Sequence, residues 1–332
     1  TVLTVSMDKE VTAISRANGL QVFQAKAIIL AMGCRERPRG ALAIPGTRCS
    51  GIYSAGTAQK FVNLEGYMPG RRVVILGSGD IGLIMARRMT LQGAKVLACV
   101  EIMPYSSGLN RNIVQCLHDY DIPLLLSHTV VDIEGRERLT GVTIAKVDDK
   151  RCPIPGTEQH FDCDTLLLSV GLIPENELSH QAGVEMSPLT QGAVVDDTLQ
   201  TSVPGVFACG NVLHVHDLVD HVSNESLRAG AAAAAYVKGQ KPSGKVAEVR
   251  DGEGVRGVVP QRVHLGAQGQ LSLMFRPSGA FENAAIRVLD GDTEVFRQKK
   301  RILTPGEMAD ITLKEPVVAA LTGAPLTVEI VR

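Results

Sequence analysis

The chain opens on alternating apolar and polar positions: Val2 and Thr4, then Val11-Thr12-Ala13-Ile14, then Leu20-Gln21-Val22-Phe23. A period of two with a turn at Ala17-Asn18-Gly19 predicts two or three short antiparallel strands. Ala27–Met32 breaks the alternation with an unbroken apolar run closed by Gly33, the pattern of a strand buried on both faces. Residues 34–70 are rich in Gly, Pro and Arg and read as connecting structure with one short helix over Thr57–Leu64. A tight succession follows. Arg71–Leu76 reads as a buried strand, Gly77–Gly82 as a glycine turn, and Leu83–Gln92 as a helix with Gly93 at its C-terminal stop. Ala94–Val100 is the next strand, ended by Glu101.

Leu109, Ile113, Leu117 and Tyr120 form an apolar stripe that predicts a helix over Asn110–Tyr120. Strands are predicted over Ile122–Leu126, around Thr129–Ile133, Gly141–Val147 and His160–Phe161, and over Thr165–Val170, closed by Gly171. Val206–Cys209 leads into Gly210-Asn211, and a helix is predicted over Asn224–Val237 with Gly239 as its stop. Residues 240–253 read as a linker. Beyond it, Val255–Val259, Leu271–Phe275, Ala285–Leu289, Thr293–Phe296, Met308–Leu313 and Leu326–Val331 predict an all-β, sandwich-like module over 254–332.

The length of 332 residues fits two to three domains. Lys plus Arg number 34 against 35 Asp plus Glu, so no charge excess argues for nucleic acid or an anionic membrane. No apolar run approaches a membrane span. The seven cysteines are dispersed without a CxxC, which fits reduced thiols in a cytoplasmic setting and removes a dithiol redox motif. The start, Thr1-Val2-Leu3-Thr4-Val5, has neither an initiator methionine nor a secretory signal and reads as a fragment's beginning.

A glycine triplet alone is a weak signal, but Gly77-Ser78-Gly79-Asp80-Ile81-Gly82 stands between strand and helix with an acid closing the next strand. Gly77 permits the turn, Gly79 lets backbone approach a pyrophosphate, and Gly82 lets helix pack on strand. The helix start offers N–H groups and the positive dipole end to phosphates. Glu101 would accept the ribose hydroxyls and repel a 2′-phosphate; with no arginine pair after it, NAD is favoured over NADP. A fold binding another adenine nucleotide, or none, stays open.

Four segments in order, AIILAMGCRERPR at 27–39, VVILGSGDIGL at 73–83, LSVGLIPENEL at 168–178 and TSVPGVFACGN at 201–211, resemble the pyridine nucleotide–disulfide oxidoreductase superfamily. The resemblance covers about residues 1–240 and is nearest to members without a redox dithiol. These include flavin subunits of amino-acid or opine dehydrogenases and a bacterial group associated with glycerol-3-phosphate metabolism. It implies an α/β chain with two Rossmann-like three-layer nucleotide-binding domains. A partial FAD domain would take 1–70 and 173–242, with an NAD domain, 71–172, inserted in it. It also implies that Gly33, Gly210 and Asn211 lie against FAD, that Gly171 lies near the nicotinamide, and that the 224–237 helix aims its N-terminus at the flavin ring. Asn211 stands where the family has aspartate; its amide oxygen can still accept a ribityl hydroxyl. The family's first FAD motif is absent, so the chain is expected to be N-terminally truncated and to hold FAD poorly alone.

Other residues have plainer readings. Cys34 is assigned to packing rather than redox chemistry, and Cys152 and Cys163 flank a loop where a regulatory disulfide is conceivable. Arg35, Arg37 and Arg39 divide evenly between a solvated surface and a phosphate contact. His214, His216 and His221 with Asp217 and Asp220 are set down as a loop that handles protons or faces water. No metal is expected, because no further Cys or His completes a ligand set. The function expected is an FAD-dependent oxidoreductase moving hydride between NAD(H) and flavin, then to an unidentified substrate or second dehydrogenase subunit. The alternative is a non-catalytic assembly subunit docked through its β module. No side chain is assigned as acid, base or nucleophile.

Overall fold

The structure, a computed structural model, describes residues 1–240, 242, 244–266 and 269–332; Lys241 and Ser243 of the expected linker lie outside the described residues. The chain packs as two compact units, one of Glu36–Ile173 and one of Thr1–Arg35 with Pro174–Arg332.

The Glu36–Ile173 unit is built on a five-stranded parallel sheet in the order Ile52–Ser54, Thr165–Leu168, Arg72–Leu76, Lys95–Glu101, Leu124–Leu126. Its central strands are apolar without alternation because both faces are covered. On one face Val73, Ile75, Cys99 and Leu167 meet Leu83, Met85, Ala86 and Met89, buried residues of the Asp80–Leu91 helix. On the other face Val74, Leu76, Ala98 and Leu166 meet Val130, Val142 and Ile144 of a three-stranded antiparallel sheet, His128–Gly135, Leu139–Lys146 and Gln159–Asp162. The helix expected over Asn110–Tyr120 is α-helical only to Cys116 and tightens to a 3-10 turn at His118–Tyr120. The short helix expected over Thr57–Leu64 runs Ala55–Lys60 and ends in a π turn, Phe61–Glu65, closed by left-handed Gly66.

In the other unit, Val2–Val5, Glu10–Ser15 and Gly19–Gln24 form an antiparallel meander. The apolar run after it, Ile28–Leu30, pairs in parallel with Val206–Ala208. The helix expected at Asn224 starts five residues earlier and spans Val219–Val237, so His221 is helical rather than looped. Ser223-Asn224 has the composition of a helix cap, yet the true N-cap is Leu218, whose side chain forms no cap bond.

The expected linker also contains a strand. Val246–Asp251 lies between Arg262–His264 and Leu326–Val331, with its buried positions alternating along it. The second region therefore holds a five-stranded sheet, ordered Arg262–His264, Val246–Asp251, Leu326–Val331, Phe281–Asp290, Thr293–Leu303. A three-stranded sheet, Val255–Val259, Leu271–Pro277 and Ala309–Leu313, shares one apolar core with it, including Val249, Leu273, Phe275, Ile286, Ile311 and Val328. Thr293–Leu303 is the outer strand, and its Arg297, Lys299 and Arg301 are exposed.

Candidate functional site

Leu76 ends its strand and Gly77 turns the chain at φ +92°, donating its N–H to the Val100 carbonyl at 2.7 Å. A Cβ here would stand 2.1 Å from the Ser169 carbonyl oxygen, so both conformation and space require glycine. Ser169, which sequence reasoning did not single out, ties the turn together. Its hydroxyl accepts the Gly82 N–H at 3.1 Å and lies 3.3 Å from the Gly79 carbonyl. A Cβ on Gly82 would come within 2.5 Å of the Ser169 side chain, and one on Gly79 within 3.0 Å.

Glu101 is 5% exposed and faces this turn. Its Oε2 accepts the Ser78 N–H at 2.9 Å and the Ser78 hydroxyl at 2.5 Å, with Ser107 Oγ at 3.4 Å; its Oε1 accepts the Met103 N–H at 3.0 Å. The carboxylate therefore anchors the turn from within the protein. A carboxylate has about four acceptor positions, and Oε1 uses one of its two here. Asp80 is turned elsewhere: its Oδ1 accepts Leu109 N–H at 2.9 Å and Asn112 Nδ2 at 2.7 Å, holding the start of the next helix. Among the described residues the amides of Gly79, Asp80 and Ile81 have no hydrogen-bond partner, and they stand where the positive end of the 12-residue Asp80–Leu91 helix lies. A diphosphate fits such a cradle. Beneath it, Cys99 Sγ lies 3.5 Å from the Gly77 carbonyl; burial, reinforced by the Glu101 charge, pushes this thiol up to about 12. Gly171 has φ +95° with open space around a Cβ, and its carbonyl accepts the Arg37 N–H at 3.0 Å.

The other unit has a second glycine turn. Gly33, at φ +76°, ends its strand and accepts the Glu175 N–H at 3.0 Å. Gly210, at φ +71°, donates its N–H to Glu225 Oε1 at 2.6 Å. Glu225 is 2% exposed, and His214 Nε2 meets its Oε2 at 2.6 Å while His216 Nε2 meets its Oε1 at 3.2 Å. The two rings are 4.3 Å apart edge to face, and His221 stands 6.4 Å from His216. Burial pushes the His214 imidazole down, toward the neutral ring. Burial by itself would raise the Glu225 carboxyl, but the His214 and His216 hydrogen bonds outweigh it and hold it at about 2. A neutral His214 ring donating Nε2–H to the Glu225 carboxylate satisfies both directions. The Nδ1 atoms of His214, His216 and His221 are buried with no partner. Asn211 Oδ1 accepts the His216 N–H at 3.0 Å, and its Nδ2 lies 3.5 Å from Cys34 Sγ.

The remaining candidates separate from this cluster. Asp217 binds Arg276 at 2.5 Å and accepts the Met308 N–H at 2.7 Å, and Asp220 is exposed. Arg35 is paired with Glu175 and with Glu177, the latter at 2.9 Å, while no ion pair involves Arg37 or Arg39 among the described residues. None of the cysteines is in a disulfide; Cys152 is exposed and Cys163 buried. Glu225, missed in the sequence, sits four residues after His221, one helical turn along, a spacing legible only once the helix is started at Val219.

Comparison with known proteins places this architecture. The pyridine nucleotide-disulphide oxidoreductase family matches residues 1–239. A probable ferredoxin reductase of Castellaniella defragrans is 29% identical over 238 residues, covering 66% of this chain and 53% of that protein. An opine oxidase subunit from Agrobacterium tumefaciens is 25% identical over 221 residues, covering 63% of this chain and 43% of that protein. The chain spans about half the length of the curated relatives it matches. Among solved structures, Lactococcus lactis thioredoxin reductase aligns with a TM-score of 0.58 at 18% identity, covering 72% of this chain and 74% of that one, which shows a shared fold. No helix among the described residues is long and apolar enough to cross a membrane. With most of its length matched, and with a glycine turn, an anchoring glutamate and a parallel sheet in the arrangement described, the chain belongs to the pyridine nucleotide-disulphide oxidoreductase family.

Proposed function

We propose that the chain is the NAD(H)-binding and flavin-contacting part of an oxidoreductase that passes reducing equivalents onward to a partner protein or small substrate. The observation that carries this is the set of unpartnered amides at Gly79, Asp80 and Ile81, at a helix start whose preceding turn is pinned by Glu101 and Ser169. When bound, the nicotinamide supplies a hydride and the flavin relays it as electrons. The residues bind and orient. The three amides take the diphosphate, and the open acceptor position of Glu101 Oε1 takes a ribose hydroxyl. That carboxylate, already buried among donors, opposes the extra negative charge of NADP.

In this reading Gly33, Gly210 and Asn211 border the flavin's ribityl side, and Gly171 borders the nicotinamide. The division proposed is 1–70 with 173–242 for the flavin, 71–172 for the nicotinamide nucleotide and 254–332 as a β module, although residues 36–70 pack within the Glu36–Ile173 unit. Relatives named as a ferredoxin reductase component and as part of an opine oxidase support delivery to a partner protein, and the absence of a CxxC leaves no dithiol relay in this chain. Dispersed thiols without a disulfide suit a cytoplasmic site of action.

Isothermal titration with NADH and NADPH tests the nucleotide assignment: NADH is expected to bind about tenfold or more tightly than NADPH, equivalent to about 1.4 kcal/mol. Failure of a folded sample to bind either nucleotide overturns the reading. Adding NADH anaerobically to flavin-loaded protein tests the relay; bleaching of the flavin absorbance is expected. Nucleotide binding without bleaching would favour a role in assembly.

A further inference from the structure

The His214–His216–Glu225 cluster is an unfinished hydrogen-bond network. Each of the two rings has one nitrogen on the carboxylate and the other, Nδ1, buried without a partner. A buried imidazole serving structure alone is ordinarily satisfied at both nitrogens.

We propose that His214, His216 and Glu225 bind a divalent first-row transition-metal ion of the zinc or ferrous class. Two imidazoles and one carboxylate are a recurrent donor set for such ions and leave a coordination position open. One ligand atom from each of the three residues lies within 4.8 Å of the others. Metal–ligand bonds of about 2.0–2.2 Å put the ligand atoms about 3.3 Å apart, so an ion held between the Nε2 nitrogens and the carboxylate matches the 3.2 Å His216 contact and widens the 2.6 Å His214 contact. The three side chains are 5%, 1% and 2% exposed, so water competes weakly for the same donors. The nearby Arg276 is neutralised by Asp217 at 2.5 Å, which leaves the Glu225 carboxylate as the local charge an ion would meet.

The sequence discouraged a metal because no further Cys or His completed a ligand set with His214, His216 and His221; the fold supplies a glutamate from the adjoining helix instead. The backbone holds the arrangement from three sides. Gly210 N–H fixes one carboxylate oxygen, Asn211 Oδ1 holds the His216 backbone, and the Val219–Val237 helix carries Glu225. The three ligands lie within residues 214–225, and the site does not depend on the nucleotide reading.

The test uses the whole chain, purified without chelator, incubated with zinc sulfate or cobalt chloride, desalted, and assayed by plasma mass spectrometry and visible absorption. One equivalent of zinc retained per chain, and a ligand-field band from cobalt, are expected. His214→Ala with His216→Ala should abolish both, while His180→Ala, at an exposed position, should leave both intact. Because the double variant can misfold, Glu225→Gln provides a milder arm: with circular dichroism unchanged, its zinc affinity should fall about tenfold or more. A wild-type chain that retains only traces of zinc and shows no cobalt band overturns the proposal. So does full occupancy in a folded double variant.

Discussion

The two glycine turns of this chain solve one problem with different chemistry. At each, a strand ends in a left-handed glycine and a buried glutamate grips a turn amide: Glu101 holds Ser78 N–H at 2.9 Å, and Glu225 holds Gly210 N–H at 2.6 Å. Around Glu101 the other partners are hydroxyls and an amide, which carry no proton equilibrium near neutrality. Around Glu225 they are two imidazoles, which can change charge or take a metal. The first turn leaves backbone amides open and so suits an anion; the second gathers two imidazole nitrogens on one carboxylate and so suits a cation. A shared anchoring device thus says little about what a turn binds, and the donors and acceptors gathered around it say more.

Removing the second anchor should disturb the molecule most. Glu225→Ala strands two imidazoles and an amide and is expected to cost about 3–5 kcal/mol, read as a shift in the urea midpoint with chelator present. A loss below about 1 kcal/mol, the worth of an ordinary hydrogen bond, would show that the carboxylate anchors nothing. Gly77→Ala comes next, at about 3 kcal/mol, because positive φ and a backbone clash add; Gly171→Ala, with positive φ in open space, should cost nearer about 1 kcal/mol. Equal losses would mean that Ser169 moves aside.

Smaller still is Glu101→Gln, expected at about 1–2 kcal/mol, since the amide oxygen can keep Ser78 while its NH2 opposes Met103 N–H. If its NADH affinity matches wild type while stability falls, the residue holds the turn and not the ribose. The mildest probe is thiol labelling at pH 8. Exposed Cys152 should react first, while Cys99 and Cys163, both pushed by burial up to about 12, stay unmodified in the native chain. Prompt modification of Cys99 would reveal a loosely held first turn.

The first turn was legible because its parts are neighbours in the chain: strand, Gly77–Gly82, helix and Glu101 lie within thirty-odd residues and follow from periodicity and glycine spacing. The parallel sheet core and most strands of the C-terminal sheets were legible for the same reason, as apolar runs or alternations between turn residues. Ser169 was not, because its role arises from a contact 87 residues along the chain from Gly82. Glu225 was hidden by a helix read as beginning at Asn224, where cap-forming residue types outweighed the less polar start at Leu218. The strand Val246–Asp251 was hidden by its Pro- and Gly-containing approach, although Ala247 and Val249 alternate inward as a half-buried strand should.

The row of positive charge on Thr293–Leu303 bears on the molecule's behaviour in crowded solution. An outer strand offers unpaired backbone groups to any strand of similar length, and a second copy of this chain carries the same edge. Lys299 and Arg301 make two such edges repel before their backbones can meet, while Arg297 is paired with Glu294 at 2.8 Å. Solubility is thereby written into the sheet's rim, and replacing these cations by neutral β-formers would invite the chains to stack into insoluble ribbons.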